Sequence, residues 1–162
     1  METIRCRNNR GDFSEIPKEK FFFRPSVYGL IQDGDKIVLL KNKSSGKLWF
    51  PGGGIEIGEK IEEALIREVQ EETGLEIQIE KLLLFRENFF YYEPEDGAYH
   101  AFLFFYFCTI KPGSKLIADD LVDDLEASEP RWIKISDLKE ENFHDIKEDC
   151  MNMIRSLTKE ND

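Results

Sequence analysis

The apolar residues of this chain fall into short runs that are separated by turn residues. Two runs, residues 27–31 and 37–40, flank Asp33-Gly34-Asp35 and predict a β-hairpin with an Asp-Gly turn. Two longer runs, residues 77–85 and 100–110, predict further strands. The second of these is continuous and aromatic, so we expect it to be central in the sheet and covered on both faces.

Two segments follow helical spacing instead. Residues 59–73 predict a helix with acidic residues in its first turn and Gly74 as its C-terminal cap. Near the chain end, apolar residues recur every three or four positions at Ile146, Cys150, Met153, Ile154 and Leu157. The order of strands, helix, strands and helix predicts an α/β domain in which helices cover a mixed sheet.

The remaining segments are polar. Residues 1–20 predict a loose N-terminal arm, and the length of the chain predicts a single domain over residues 21–162. Glycines 52–54 predict a loop, and residues 119–129 an acidic loop. A short strand is expected over residues 131–135, after which Ser136 would cap a short helical turn.

The charge of the chain limits its partners. The formal net charge is −11, from 33 acidic and 22 basic residues, and such a surface repels the phosphate backbone of nucleic acids. We therefore expect no nucleic-acid partner. A small phosphorylated ligand is compatible with this charge if bound metal ions offset the acidic residues locally.

The cysteines indicate a reducing compartment. Cys6, Cys108 and Cys150 are odd in number and far apart, which argues against a disulfide framework or a zinc site. The N-terminus shows no apolar signal segment, and the longest apolar stretch, residues 101–110, is about half the length of a membrane helix. We expect a cytoplasmic protein without a membrane partner. The oligomeric state is left open, with a dimer as one option.

The helix over residues 59–73 breaks its own apolar pattern. Positions 61, 64, 65, 68 and 72 should face the core, but the last two are Glu68 and Glu72. Glu71 lies on the same side, so the stripe turns into a carboxylate cluster. Like charges one turn apart destabilise a helix by about 0.2–0.5 kcal/mol per pair, and more when partly buried.

Two neighbours would offset this repulsion. Arg67 lies four residues before Glu71 and can pair with it. A divalent cation would neutralise several carboxylates together, and clustered hard oxygen donors favour Mg²⁺ or Mn²⁺ over zinc. The alternative interpretation is a solvated acidic face.

A 23-residue motif covers this helix. From Gly53 to Leu75 the chain reads GGIEIGEKIEEALIREVQEETGL. This resembles the Nudix box, G-x5-E-x7-R-E-U-x-E-E-x-G-U, where U is a bulky aliphatic residue. The nine specified positions are matched by Gly53, Glu59, Arg67, Glu68, Val69, Glu71, Glu72, Gly74 and Leu75. The chain is therefore similar to the Nudix hydrolases of the MutT-like family, which implies an αβα sandwich.

The resemblance implies roles for the acidic residues. Glu68, Glu71 and Glu72 would bind the catalytic Mg²⁺ or Mn²⁺ ions. Arg67 would orient a carboxylate of that cluster through a charge-assisted hydrogen bond. Glu59 would serve as an auxiliary ligand or as electrostatic support.

The loop before the helix and a segment outside the box complete the implied site. Gly53 would let the backbone approach a phosphate or a metal ion because it has no Cβ, and Glu56 would add a water-mediated ligand. Family members often take a further carboxylate, as base or metal ligand, from outside the box. We expect it in the acidic loop before Trp132, first at Glu126, then at Glu129, with Asp123 and Asp124 as alternatives; a plainly solvated acidic loop is the competing interpretation.

The resemblance implies a pyrophosphohydrolase in which water attacks phosphorus in a nucleoside diphosphate-X or a nucleoside triphosphate. The preferred substrate class is nucleoside triphosphates, with ADP-ribose-like sugars as close competitors. A non-catalytic nucleotide sensor on the Nudix fold is the main alternative. An isomerase, which would need a partner for Cys108, and an RNA-end pyrophosphohydrolase, which the acidic charge disfavours, are further alternatives.

The residues that surround the substrate stay open at this stage. Residues 89–92 are aromatic and would stack on a base, although such strand ends more often pack in a core. The same two interpretations apply to Phe22, Phe23 and Arg24. A group of lysines would meet phosphate oxygens or merely solvate a hairpin: Lys41, Lys43 and Lys47.

Overall fold

The computed structural model describes residues 1–43, 45–117 and 127–159. These residues form two α-helices, α1 (Ile61–Thr73) and α2 (Lys147–Lys159). They also form nine strands: β1 (Thr3–Asn8), β2 (Phe13–Pro17), β3 (Phe21–Asp33), β4 (Lys36–Asn42), β5 (Leu48–Trp49), β6 (Gly52–Gly54), β7 (Ile77–Tyr92), β8 (Gly97–Ile110) and β9 (Ala127–Lys134).

The strands of the described residues join in one mixed sheet, as predicted. Their order is β2-β1-β7-β8-β3-β4-β5, while β6 pairs with β3 and β9 pairs with β4. The pairs β1–β7 and β3–β8 are parallel, and the other pairs are antiparallel. Strand β8 lies between β7 and β3 and none of its residues is exposed, so the prediction of a central, doubly covered strand is confirmed.

One helix packs on each face of this sheet because successive strand residues point to opposite faces. Val27 and Ile31 of β3 pack in one core cluster with Leu65 of α1. Leu30, between them, packs in the other cluster with Ile154 of α2. The predicted α/β fold, an αβα sandwich with a mixed sheet between helices, is confirmed.

Contacts with neighbouring residues determine where α1 begins and ends. The carboxylate of Glu63 accepts the backbone N–H of Lys60 at 3.0 Å, so the helix begins at residue 61 rather than at the predicted residue 59. At the other end Gly74 has a φ of 73° and donates its N–H to the carbonyl of Gln70. The predicted C-terminal glycine cap is therefore confirmed.

The N-terminal segment differs from the expected loose arm. Strands β1 and β2 form an antiparallel hairpin, and β1 extends the sheet by pairing with β7. Cys6 and Ile16 are buried there against Ala98. Alternate residues of this hairpin supply a small core of their own, and the polar residues between them concealed it in the sequence.

Three further expectations about local structure are corrected. Glycines 52–54 form strand β6 rather than a loop, because β3 offers them a free edge. Strand β9 begins at residue 127, so the end of the expected acidic loop over residues 119–129 is strand. Ser136 lies inside a 3₁₀ turn that spans Ile135–Asp137 and begins without a side-chain cap.

Two further observations concern the cysteines and the helix lengths. All three cysteines are free and buried. In the parts of the chain that the structure describes, neither helix is long and apolar enough to cross a membrane.

Candidate active site

The polar stripe of α1 lies against the three glycines of β6. Glu72 is buried, with 5% of its surface exposed, and its Oε2 accepts the backbone N–H of Gly52 at 2.8 Å. Glu68 is half-buried, and Glu71, one turn further on the open side, is exposed. The predicted stripe of carboxylates therefore forms a graded row from the core to solvent.

Two glycines of β6 are required for different reasons. A Cβ on Gly53 would lie 2.7 Å from Oε1 of Glu68, so the missing side chain makes room for that carboxylate. Gly52 has a φ of 147°, and a Cβ there would lie 2.0 Å from the carbonyl oxygen of Val27. Gly53 thus shapes the site, whereas Gly52 allows β6 to pair with β3.

Arg67 ties the acidic residues together. Its Nε and Nη2 donate to the two oxygens of Glu59 at 2.7 and 2.9 Å, which is a bidentate pair. Its Nη1 reaches Glu68 at 3.0 Å and Glu71 at 3.4 Å, and Nη2 also reaches the carbonyl of Gly54 at 3.3 Å. The predicted pairing of Arg67 with Glu71 is present, but the shortest contacts go to Glu59.

These contacts set the charge state of Glu59. The hydrogen bonds from Arg67, and then the one from the backbone N–H of Glu56, lower the pKa of Glu59 to about 2. The same contacts, led by Glu59, raise the pKa of Arg67. Glu59 is therefore ionised at neutral pH and a poor proton acceptor, which suits a residue that positions Arg67.

The donor set has the chemistry of a site for a hard cation. Glu68, Glu71 and Glu72 supply carboxylate oxygens, and the space over Gly53 is kept open for Glu68. Within the described ranges, no three His, Cys, Asp or Glu side chains already form a metal-binding group. Glu68 and Glu71 contact Arg67 instead, so a cation would compete with the guanidinium for their oxygens.

Of the four carboxylates expected from outside the box, only Glu129 lies within the described residues. Glu126, Asp123 and Asp124 lie outside the described residues. Glu129 is on β9 at an irregularity in the pairing with β4, has a φ of 68° and contacts Arg131. Its carboxylate is thus engaged by a neighbour on its own strand.

The aromatic candidates separate into packed and open positions. Phe89 stacks on His100 with 4.3 Å between the ring centroids, so β7 uses it for packing. Phe22 and Phe23 are 68% and 76% exposed.

Among the candidate lysines, Lys47 donates to the carbonyl of Glu141 at 2.6 Å, which indicates a structural contact.

Sequence reasoning missed two features near the row. Gly54 offers its carbonyl to Arg67, and the Nε of Arg24 on β3 lies 4.0 Å from the place that a Cβ on Gly54 would occupy. Both follow from the pairing of β6 with β3, and no local pattern indicates such a pairing between a short glycine run and a distant strand.

Comparisons with known proteins agree with this geometry. A sequence model of the NUDIX domain matches residues 22–152. An ADP-ribose pyrophosphatase of Methanocaldococcus jannaschii is 39% identical over 74 residues, which cover 43% of this chain and 44% of that protein. An RNA pyrophosphohydrolase of Teredinibacter turnerae is 39% identical over 72 residues, covering 43% and 42%. The alignments thus span less than half the length of these two relatives.

A solved structure shares the fold. The NUDIX hydrolase from Nitrosomonas europaea superposes with a TM-score of 0.61 at 24% identity. The superposition covers 83% of this chain and 90% of that one. The likeness in fold therefore extends well beyond the 23-residue box.

The two glycines of β6 should respond differently to alanine. Gly52→Ala should lower the free energy of unfolding by at least about 3 kcal/mol, because the new Cβ meets backbone at a φ that alanine rarely adopts. Gly53→Ala should cost less than about 1.5 kcal/mol, because only the end of the Glu68 side chain has to move. Urea unfolding of both variants measures this, and equal losses would contradict the assignment.

Glu59 should contribute to stability in a pH-dependent way. Its folded pKa of about 2 lies below the usual unfolded value of about 4.3, so its contribution is present above pH 4.3 and is lost as the pH falls towards 2. The wild type should exceed Glu59→Gln in stability at neutral pH, and the difference should shrink over that window. Urea midpoints of both proteins across this range test it; a difference independent of pH would refute the pairing with Arg67.

Proposed function

Because the chain belongs to the NUDIX family, whose sequence model matches residues 22–152, we propose that it is a metal-dependent pyrophosphohydrolase acting on a nucleotide-like small molecule. The observation that carries the proposal is the row of Glu68, Glu71 and Glu72 on α1 beside the open backbone of Gly53. Arg67 offsets part of the repulsion in this partly buried row, and a cation would neutralise the remaining negative charge.

Glu68, Glu71, Glu72 and the backbone of Gly53 would hold Mg²⁺ or Mn²⁺. When bound, such ions neutralise charge on the phosphates and lower the pKa of water at the site. The chain's own residues prepare the place: Gly52 fixes Glu72 through its N–H, and Arg67 holds Glu68 and Glu71 on one side of the helix. Rigid placement on a helix suits this role.

The attacking water must lose a proton to a carboxylate. Glu59 is unsuited because its pKa of about 2 makes it a weak base, and Glu129 is paired with Arg131. Glu126 is therefore the proposed base, with Asp123 and Asp124 as the next candidates in the same segment.

The proposed substrates have two phosphates joined by an anhydride. They are a nucleoside diphosphate linked to a second group or a nucleoside triphosphate, and hydrolysis of the anhydride gives two phosphorylated products or, from a triphosphate, a monophosphate and pyrophosphate. The name of the M. jannaschii relative, ADP-ribose pyrophosphatase, supports ADP-ribose as the first compound to assay. This moves the preference away from nucleoside triphosphates.

Glu71→Gln should abolish most activity while the fold is kept, because Glu71 is exposed and its loss leaves the core intact. We expect kcat to fall by at least about 100-fold, the scale of losing one group that stabilises charge in the transition state. The assay is phosphate release with Mg²⁺ and Mn²⁺ over a panel of pyrophosphate compounds, with an added phosphatase. Glu62→Gln, exposed on the same helix, is the matched control and should retain activity. Wild-type activity in the Glu71 variant would contradict the metal assignment.

The proposed base can be separated from its neighbour in sequence. Glu126→Gln should lower kcat by about 10² to 10⁴-fold, the usual contribution of general base catalysis. Glu129→Gln should lower it less than about threefold, because that carboxylate is engaged with Arg131. Steady-state kinetics of the two variants give the two values of kcat. A larger loss of kcat in Glu129→Gln than in Glu126→Gln would identify Glu129 as the base.

A further inference from the structure

We propose that Arg24, stacked on the ring of Tyr99, binds the phosphate groups of the substrate beside the carboxylate row of α1. This inference rests on the proposed function, because it assigns a phosphate-binding residue to the same site. Its support is the position of Arg24, the lack of an ionic partner for it among the described residues, and the net charge of the chain.

The position of Arg24 follows from the pairing of β3 with β6. Ser26 is the partner of Gly54 in this ladder, so Arg24 lies just beyond the end of β6. Its Nε is 4.0 Å from the place that a Cβ on Gly54 would occupy. Arg67 reaches the carbonyl of the same glycine at 3.3 Å, so the two guanidinium groups approach Gly54 from the strand and from the helix.

The two arginines differ in what occupies them. Arg67 donates to three carboxylates, so its charge is already balanced by the protein. Arg24 is exposed, and among the described residues it has no hydrogen bond or ion pair to a carboxylate. Its guanidinium carbon lies 5.0 Å from the centroid of the Tyr99 ring instead. A stacked guanidinium keeps its N–H edge available for bidentate contact with phosphate.

The β3–β6 ladder connects Arg24 with the buried end of the row. Gly52, whose N–H donates to Glu72 at 2.8 Å, pairs with Tyr28 of β3, four residues after Arg24. Burial raises the pKa of the Tyr28 hydroxyl; the charge of Arg24 opposes that rise and the charge of Glu72 adds to it. A pyrophosphate substrate beside Glu72 would place negative charge near Arg24, in a protein whose net charge of −11 otherwise repels anions.

The test compares Arg24→Gln and Arg24→Lys with Arg5→Gln. Arg5 is the matched control because it is also exposed and stacked on a ring, with its guanidinium carbon 4.3 Å from the centroid of Phe13, but it lies on β1. With Mg²⁺ and the best substrate of the panel, Arg24→Gln should raise KM at least about tenfold and change kcat less than about threefold. The KM of Arg24→Lys should lie between those of the wild type and Arg24→Gln, since lysine keeps the charge but lacks the planar guanidinium group. Arg5→Gln should match the wild type.

A second measurement does not depend on turnover. Calorimetric titration with α,β-methylene-ADP, a pyrophosphate analogue that resists cleavage at its methylene bridge, should show at least about a tenfold weaker Kd for Arg24→Gln than for the wild type. Tyr99→Phe should bind as the wild type does, because the ring is retained, and Tyr99→Leu should bind more weakly. If Tyr99 only supported the fold, Tyr99→Leu would lower the thermal stability but would bind the analogue with the same Kd as Tyr99→Phe.

The kinetic and binding results together distinguish a failure of the role of Arg24 from a failure of the proposed hydrolase activity. If the wild type hydrolyses its substrate and Arg24→Gln keeps the wild-type KM and Kd, the role of Arg24 is overturned while the proposed function stands. If the wild type binds the analogue without cleaving any compound and Arg24→Gln loses binding, the role of Arg24 is supported and the proposed hydrolase activity is refuted. If the wild type neither binds nor cleaves, both are refuted.

Discussion

The contact of Arg67 with three carboxylates is the interaction on which the rest of the site depends. Glu59, Glu68 and Glu71 would repel one another along and beside α1 without a positive charge between them. The bidentate pair with Glu59 fixes the guanidinium, and its remaining N–H groups then hold the row on one side of the helix. The folded chain can therefore keep an acidic row whose members a divalent cation would share.

The glycines of β6 bring this row to the sheet. Since Gly53 has no side chain, the Glu68 carboxylate lies directly against the backbone of β6, and the N–H of Gly52 meets the buried Glu72. The same strand pairs with β3, which carries Arg24 beyond the end of the ladder. One short strand thus brings Gly53 against the acidic row and Gly54 near Arg24.

Much of this could be predicted because the information is local. The spacing of Glu68, Glu71 and Glu72 within a helical stripe, and the cap at Gly74, are visible in a window of 23 residues. The pairing of β6 with β3 and the hairpin of β1 and β2 join segments whose own patterns are short or polar, so only tertiary contacts reveal them. The motif indicates Glu59 only as an auxiliary group, although it is the dominant partner of Arg67, because spacing alone does not fix which nearby carboxylate the guanidinium contacts.

The central claim is that the row on α1 binds a divalent cation in place of its contacts with Arg67. An anomalous difference map from crystals soaked in Mn²⁺ measures this directly. We expect a peak within bonding distance of Glu68, Glu71 and Glu72, with Arg67 still paired to Glu59. A map without density beside these three residues at saturating Mn²⁺, with Glu68 and Glu71 still on Arg67, would contradict it.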